Sequence, residues 1–391
     1  MFQFTTLPPL ALYVHFPWCV RKCPYCDFNS HEARDGVPGR GYVAALLRDL
    51  EQELPDIWGR SVETVFIGGG TPSLLSAESL DELLSGLRAL LNFPATAEVT
   101  LEANPGTVEV DRFRDFRAAG VNRLSLGVQS FDDEMLRRLG RIHSGAAALA
   151  AAETALAAGF ERVNLDLMYG LPGQTVAQAE ADLAQALALD PGHLSHYQLT
   201  LEPNTAFFLH PPALPDDDTR WAMQETCQAR LQEAGYEHYE VSAYARPGQR
   251  CRHNLNYWHF GDYVGIGAGA HGKITHLTTQ TITRRAKLRH PKAYLEQAGG
   301  EGRISERRVL GRREAAFEFM LGALRLTEGF PPALFAGHCG LPLTVVGDAL
   351  TEAEAKGLIE WDIHRLRPTE LGQRYLDDLV GMFLPDEAPA R

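Results

Sequence analysis

Six short apolar runs, each followed by a turn and an amphipathic helix pattern, organise the first 240 residues of this 391-residue chain. The runs are LALYVHF (10–16), ETVFIGGG (63–70), EVTLEAN (98–104), RLSLGVQS (123–130), RVNLDLMYG (162–170) and LSHYQLTLE (194–202). Between them stand helix patterns such as GYVAALLRDLEQEL, SAESLDELLSGLRALL, VDRFRDFRAAG (110–120) and TVAQAEADLAQALALD, several of them closing on Gly or Pro. Strands that alternate with helices pair in parallel through right-handed crossovers, which predicts an α/β fold built as an open or closed β/α barrel. Polar residues gather at the C-terminal ends of the runs: Gly68 to Thr71, Glu102, Asn104, Gln129, Asp166 and Thr200. In β/α barrels that rim carries the chemistry, although turns that merely end strands use the same residue types.

After Pro203 the pattern changes. LHPPALPDDD (209–218) reads as a link, a helix follows over 219–234, and the next stretch is dense in aromatics and glycine. Three units are expected: the barrel over 1–240, a loop-rich aromatic and Gly-rich extension packed on it over 241–302, and a C-terminal unit over 303–391. The last combines helices near 312–325 and 343–355 with two short strands and a final helix, which resembles a winged helix. It has no dense Lys/Arg run, and the chain carries 37 basic against 50 acidic residues for a formal charge of −13, so no nucleic-acid partner is expected. No run of eighteen uncharged apolar residues and no signal-peptide pattern occur, and the expected location is the cytoplasm. Six cysteines, with Cys227, Cys251 and Cys339 scattered, fit reduced thiols better than a disulfide framework.

The other three cysteines lie in CVRKCPYCDF (19–28). Cys19, Cys23 and Cys26 follow the first run directly and so occupy a loop on the barrel rim. Thiolates gathered there suit a soft metal. A structural zinc closes on four ligands, usually as two C-x2-C knuckles, and no second knuckle exists; a ferredoxin-type cluster also takes four cysteines. Three thiolates on a [4Fe-4S] cluster leave one iron with an open position.

The C-x3-C-x2-C spacing, set directly after YVHFPW and ahead of the barrel pattern, resembles the radical S-adenosylmethionine (SAM) superfamily over most of the first 270 residues. The resemblance implies a partial (β/α)6 barrel, one [4Fe-4S] cluster on Cys19, Cys23 and Cys26, SAM on the open iron, and an electron donor if SAM is cleaved. Within the superfamily, DLMYGLPGQT and the C-terminal helical unit resemble the oxygen-independent coproporphyrinogen III oxidase family. That likeness implies SAM contacts at Tyr13, Tyr25, Gly69, Gly70, Thr71 and Glu102, and a second SAM site at Gln129, Arg141 and Asp166. The oxidase carries a fourth cysteine two positions beyond the third, where this chain has Phe28. The HemW-type haem-chaperone branch has Phe there and the motif H-N-x-x-Y-W, which stands here as HNLNYW, His253 to Trp258. The resemblance therefore implies haem as cargo, an acceptor protein for it, and His253 as a haem ligand, with Cys251 as a further candidate. Tyr257 and Trp258 offer flat faces to a macrocycle. Two other functions compete: oxidative decarboxylation of coproporphyrinogen III, which Phe28 disfavours, and a regulatory iron–sulfur protein whose winged-helix unit contacts a partner.

Overall fold

The computed structural model describes residues 1–34, 36–106 and 112–385. The first two residues of the helix expected over 110–120 and the last six of the C-terminal unit lie outside the described residues. All six expected barrel strands are present: β1 (Leu10–Phe16), then, after the short β2 (Trp18–Cys19) and β3 (His31–Glu32), β4 (Val62–Gly69), β5 (Glu98–Ala103), β6 (Arg123–Gln129), β7 (Arg162–Tyr169) and β8 (Gly192–Gln198). They pair in parallel in chain order. Alternation along each strand divides the residues between two faces. Leu124, Leu126 and Val128 of β6 and Val163, Leu165 and Leu167 of β7 enter the core shared with the helices. The positions between them, Arg123, Ser125, Asn164 and Asp166, meet one another across the strands on the other face of the sheet.

The stretch expected to be loop-rich, 241–302, and the residues just before and after it contribute strands. β9 (Glu237–Glu240), β10 (Ala243–Ala245), β11 (Asp262–Ile266), β12 (His271–His276), β13 (Thr281–Lys287) and β14 (Ile304–Val309) complete a twelve-stranded sheet among the described residues, in the order β14-β13-β12-β11-β1-β4-β5-β6-β7-β8-β10-β9. β11 lies parallel to β1, and β12 to β14 follow antiparallel. The glycines that read as loop mark close backbone approach: a Cβ on Gly265 would sit 1.9 Å from the His271 carbonyl oxygen. A buried ionic cluster holds this extension to the barrel. Asp49 and Glu53, on the helix Gly39–Ile57, accept from Lys287 at 2.6 Å each and from Arg303 at 2.7 and 2.6 Å.

The C-terminal unit packs the helices Arg312–Ala323, Pro332–Cys339 and Gly347–Ala355 beside the hairpin β15 (Ile359–Trp361) and β16 (Leu366–Pro368). The middle helix was not expected from the sequence. Its core takes Phe319, Phe330, Phe335 and Leu350 together with Phe2, Phe4, Phe260 and Ile282 from the rest of the chain. Among the described residues no single helix is long and apolar enough to cross a membrane.

Candidate cluster and cofactor site

The cysteine loop is closed at its base. β2 and β3 form a two-residue parallel ladder, Trp18 against His31 and Cys19 against Glu32. Within the loop, Cys26 N–H donates to Cys23 O at 3.2 Å, making the tight turn that two intervening residues allow. All three cysteines line a cavity of about 530 Å³ at the C-terminal ends of the parallel strands. Burial raises the pKa of the Cys19 thiol; a hydrogen bond with Thr71 opposes this, and Cys26 and Cys23 add to it. Burial likewise raises Cys26. Among the described residues no three Cys, His, Asp or Glu donors converge on a point fit for a single ion. A cubane bonds each thiolate to a different iron, and three cysteines on one cavity wall fit such a cluster, whereas a structural zinc closes on four ligands.

The glycine ribbon lies against the root of that loop. Gly70 N–H donates to Phe16 O at 2.6 Å and Thr71 N–H to Trp18 O at 2.7 Å. A Cβ on Gly70 would stand 2.5 Å from Trp18 O, so the two backbones approach this closely only with glycine here. Gly69 N–H donates to Glu102 Oε2 at 2.9 Å. Burial pushes the Glu102 carboxyl up to about 7, opposed by that N–H and reinforced by Asp166.

Strand register brings the remaining polar groups to one level. Glu102 stands opposite Ser125, and Asp166 opposite Ser195. Asn164 Nδ2 donates to Ser125 Oγ and to Asp166 Oδ1, both at 2.8 Å. Burial raises the Asp166 pKa, with Asn164 and Ser195 opposing. Gln129 reaches the cavity through a bulge: the β6–β7 register shifts between Leu126 and Gln129, and Gln129 takes a φ of 69°. Its Oε1 accepts from Tyr197 at 2.7 Å. Arg141 donates from Nη2 to Asn104 Oδ1 at 2.7 Å and to Gly127 O at 2.8 Å, and from Nη1 to Cys23 Sγ at 3.6 Å. Asn104 Nδ2 donates in turn to Thr71 Oγ1 at 2.9 Å. One hydrogen-bonded chain thus runs from the glycine ribbon to a cysteine.

The cavity gathers Cys19, Cys23, Cys26, Tyr25, Gly69, Gly70, Thr71, Glu102, Gln129, Arg141 and Asp166. Tyr13 is elsewhere: it lines a second cavity of about 1150 Å³, which shares Phe28, Gly69 and Glu102 with the first. The two residues named as haem ligands lie inside the protein, 1 % exposed for His253 and 0 % for Cys251, and line neither of these cavities. His253 Nδ1 sits 2.9 Å from Thr64 Oγ1, and burial, then Arg123, pushes the imidazole down to about 3. Cys251 Sγ donates to Glu98 Oε1 at 3.7 Å, and burial pushes the thiol up to about 11. The helix Arg252–Trp258 turns His253 inward while presenting Asn254 to the first cavity and Tyr257 and Trp258 to the second. Ser125, Ser195 and Tyr197 also line the first cavity and were not singled out from the sequence. Their signal was a polar residue at every second position of parallel strands, which ordinarily read as continuous apolar runs.

A parallel β/α sheet whose first strand runs into three cysteines, facing a glycine ribbon at the end of the next strand, defines a radical SAM protein. The sequence pattern of the Radical SAM superfamily matches residues 13–186, and that of the HemN C-terminal domain matches residues 310–375. The fold is similar to that of coproporphyrinogen III oxidase (HemN) from Escherichia coli, described as a radical SAM enzyme, with a TM-score of 0.81 and 25 % identity over 96 % of this chain and 90 % of that one. Within this class the chain belongs to the HemW family. It is 50 % identical over 381 residues to the protein named Heme chaperone HemW of Escherichia coli, covering 97 % of this chain and 99 % of that one. Its namesake in Mycobacterium tuberculosis is 38 % identical over 96 % of this chain and 95 % of its own length. Radical S-adenosyl methionine domain-containing protein 1, mitochondrial, of Bos taurus is 37 % identical over 95 % and 86 %.

Proposed function

We propose that this chain is a haem chaperone that holds one [4Fe-4S] cluster on Cys19, Cys23 and Cys26, binds SAM beside it, and passes haem to an acceptor protein. The observation that carries the reading is the full-length likeness to a protein named Heme chaperone HemW, 50 % identical over 97 % of this chain. The first cavity supports the cofactor part. When bound, the cluster supplies one electron at an iron whose remaining position is open to SAM. Around it, the Gly69–Thr71 ribbon admits a ligand against bare backbone, Glu102 and Asp166 offer carboxyl groups to amine or ribose, and Arg141 places a cation by Cys23. Phe28, 57 % exposed between the two cavities, supplies no thiolate.

Anaerobic reconstitution tests the cofactor part, and haem titration of the same sample tests the cargo part. The expected result is about four irons per chain, lost when Cys19, Cys23 and Cys26 are all replaced by Ala, and about one haem per chain. Zinc in place of iron, or an iron content that survives the triple replacement, would refute the cluster assignment. Conversion of coproporphyrinogen III by the reduced, SAM-loaded chain would make it an oxidase instead.

A further inference from the structure

The floor of the second cavity is built by strands that the cluster site does not use. Register pairs Tyr263 of β11 with Lys273 of β12, Lys273 with Arg284 of β13, and Arg284 with Arg308 of β14, so these four share one face of the sheet. Two residues before Lys273, His271 continues the same face opposite Ala286. This face is the floor of the cavity. The helix Arg252–Trp258 supplies Tyr257 and Trp258 as one wall, and the helix Arg312–Ala323 supplies Phe317 and Leu321 as another.

Three properties limit what fits there. Flat apolar faces line the inside: the Tyr257 and Tyr263 rings meet edge to face at 4.5 Å, with Trp258 beside them. Cations stand around it in two states. Arg284 and Arg308 are tied to Glu318, whereas the Arg289 guanidinium is exposed and has no hydrogen-bond or ion-pair partner among the described residues. An imidazole opens into the space: His271 is exposed, lines the cavity, and makes no side-chain hydrogen bond among the described residues. A planar, apolar ring system with carboxylate arms and a metal at its centre meets all three, and a volume of about 1150 Å³ accommodates it.

We propose that this second cavity is the haem site, with the His271 imidazole as axial ligand to the iron and Arg289 as partner to a propionate carboxylate. The proposal rests on the haem-carrying reading above and adds the place and the ligand. It also gives HNLNYW a different role: the motif contributes Tyr257 and Trp258 as a wall, while its histidine stays in the core. Phe28, Gly69 and Glu102 border both cavities, so a haem seated here would lie next to the cluster and SAM site.

The test titrates the full chain with haem and follows the Soret band together with the affinity. His271→Ala is expected to shift the band and weaken binding by about tenfold or more, and added imidazole is expected to restore the band position. Arg289→Ala is expected to weaken binding with the band unmoved. His271→Gln, which keeps size and polarity, is run beside the Ala variant so that altered folding cannot pass for a lost ligand. An unchanged band and affinity in both His271 variants would overturn the site while leaving the haem reading intact. A wild-type chain that takes up no haem would overturn both.

Discussion

Glu102 shows how one residue couples the cavity to solution conditions. Its carboxyl is held at about 7, first by burial and further by Asp166. Between pH 5 and 7 the group is therefore largely protonated, and a cationic ligand docking beside it draws it toward carboxylate and releases a proton. Affinity of the reconstituted chain for SAM is expected to rise with pH up to about 7, by as much as about tenfold per unit, and then level off. Glu102→Gln should flatten that slope, which calorimetry at several pH values would read. Gln129 was legible in the sequence as a polar residue at a strand end. Its aim into the cavity was not, because a register shift and a positive φ decide it. His253 went the other way: the motif was evident, but which face of a seven-residue helix turns inward depends on Thr64, Phe66 and Glu98 from distant strands.

At the scale of elements, the buried cluster between the helix Gly39–Ile57 and β13 does the joining. Burial by itself would raise Glu53, but Lys287, Arg285 and Arg303 together outweigh it and hold the carboxyl at about 2. The folded value lies below the ordinary one of 4.5, so this contribution is complete above 4.5 and is lost as pH falls toward 2. Lys287→Met leaves the two acids with Arg303 and Arg285 as their cationic partners among the described residues, and should cost about 3 kcal/mol in urea unfolding at neutral pH, because a buried charge loses part of its compensation. Its acid unfolding should begin at higher pH than that of the wild type. The charged residues could be counted in the sequence, but pairs separated by more than 230 positions could not be matched before β13 was placed beside the helix.

For the whole molecule, the two ends of the chain share one core. Phe4, 5 % exposed, packs with Phe2 among the C-terminal residues, Gln3 N–H donates to Gly340 O at 2.8 Å, and Phe4 N–H donates to Gln280 Oε1 at 2.6 Å. Phe4→Ala is expected to cost about 3 kcal/mol by opening a cavity in that core. Because the loss falls on the C-terminal unit, limited proteolysis should cut beyond residue 310 faster while the barrel stays protected. Cleavage spread evenly over the chain would show that the two parts unfold together. The same packing brings the helix Arg312–Ala323 over β11 to β14, and so makes the wall that turns an open sheet face into the second cavity.

The sequence by itself determined the β/α alternation, the three-cysteine loop at the end of the first strand, the glycine ribbon after the second and the polar rim, because each is written in local periodicity and spacing. Tertiary structure decided everything that needs two distant segments: the antiparallel extension beside β1, the bulge that aims Gln129, the buried place of His253 and the shape of the second cavity. The physical reason is that alternation sets which way a side chain leaves its own strand, while the register between strands and the helices laid across them decide what it meets there.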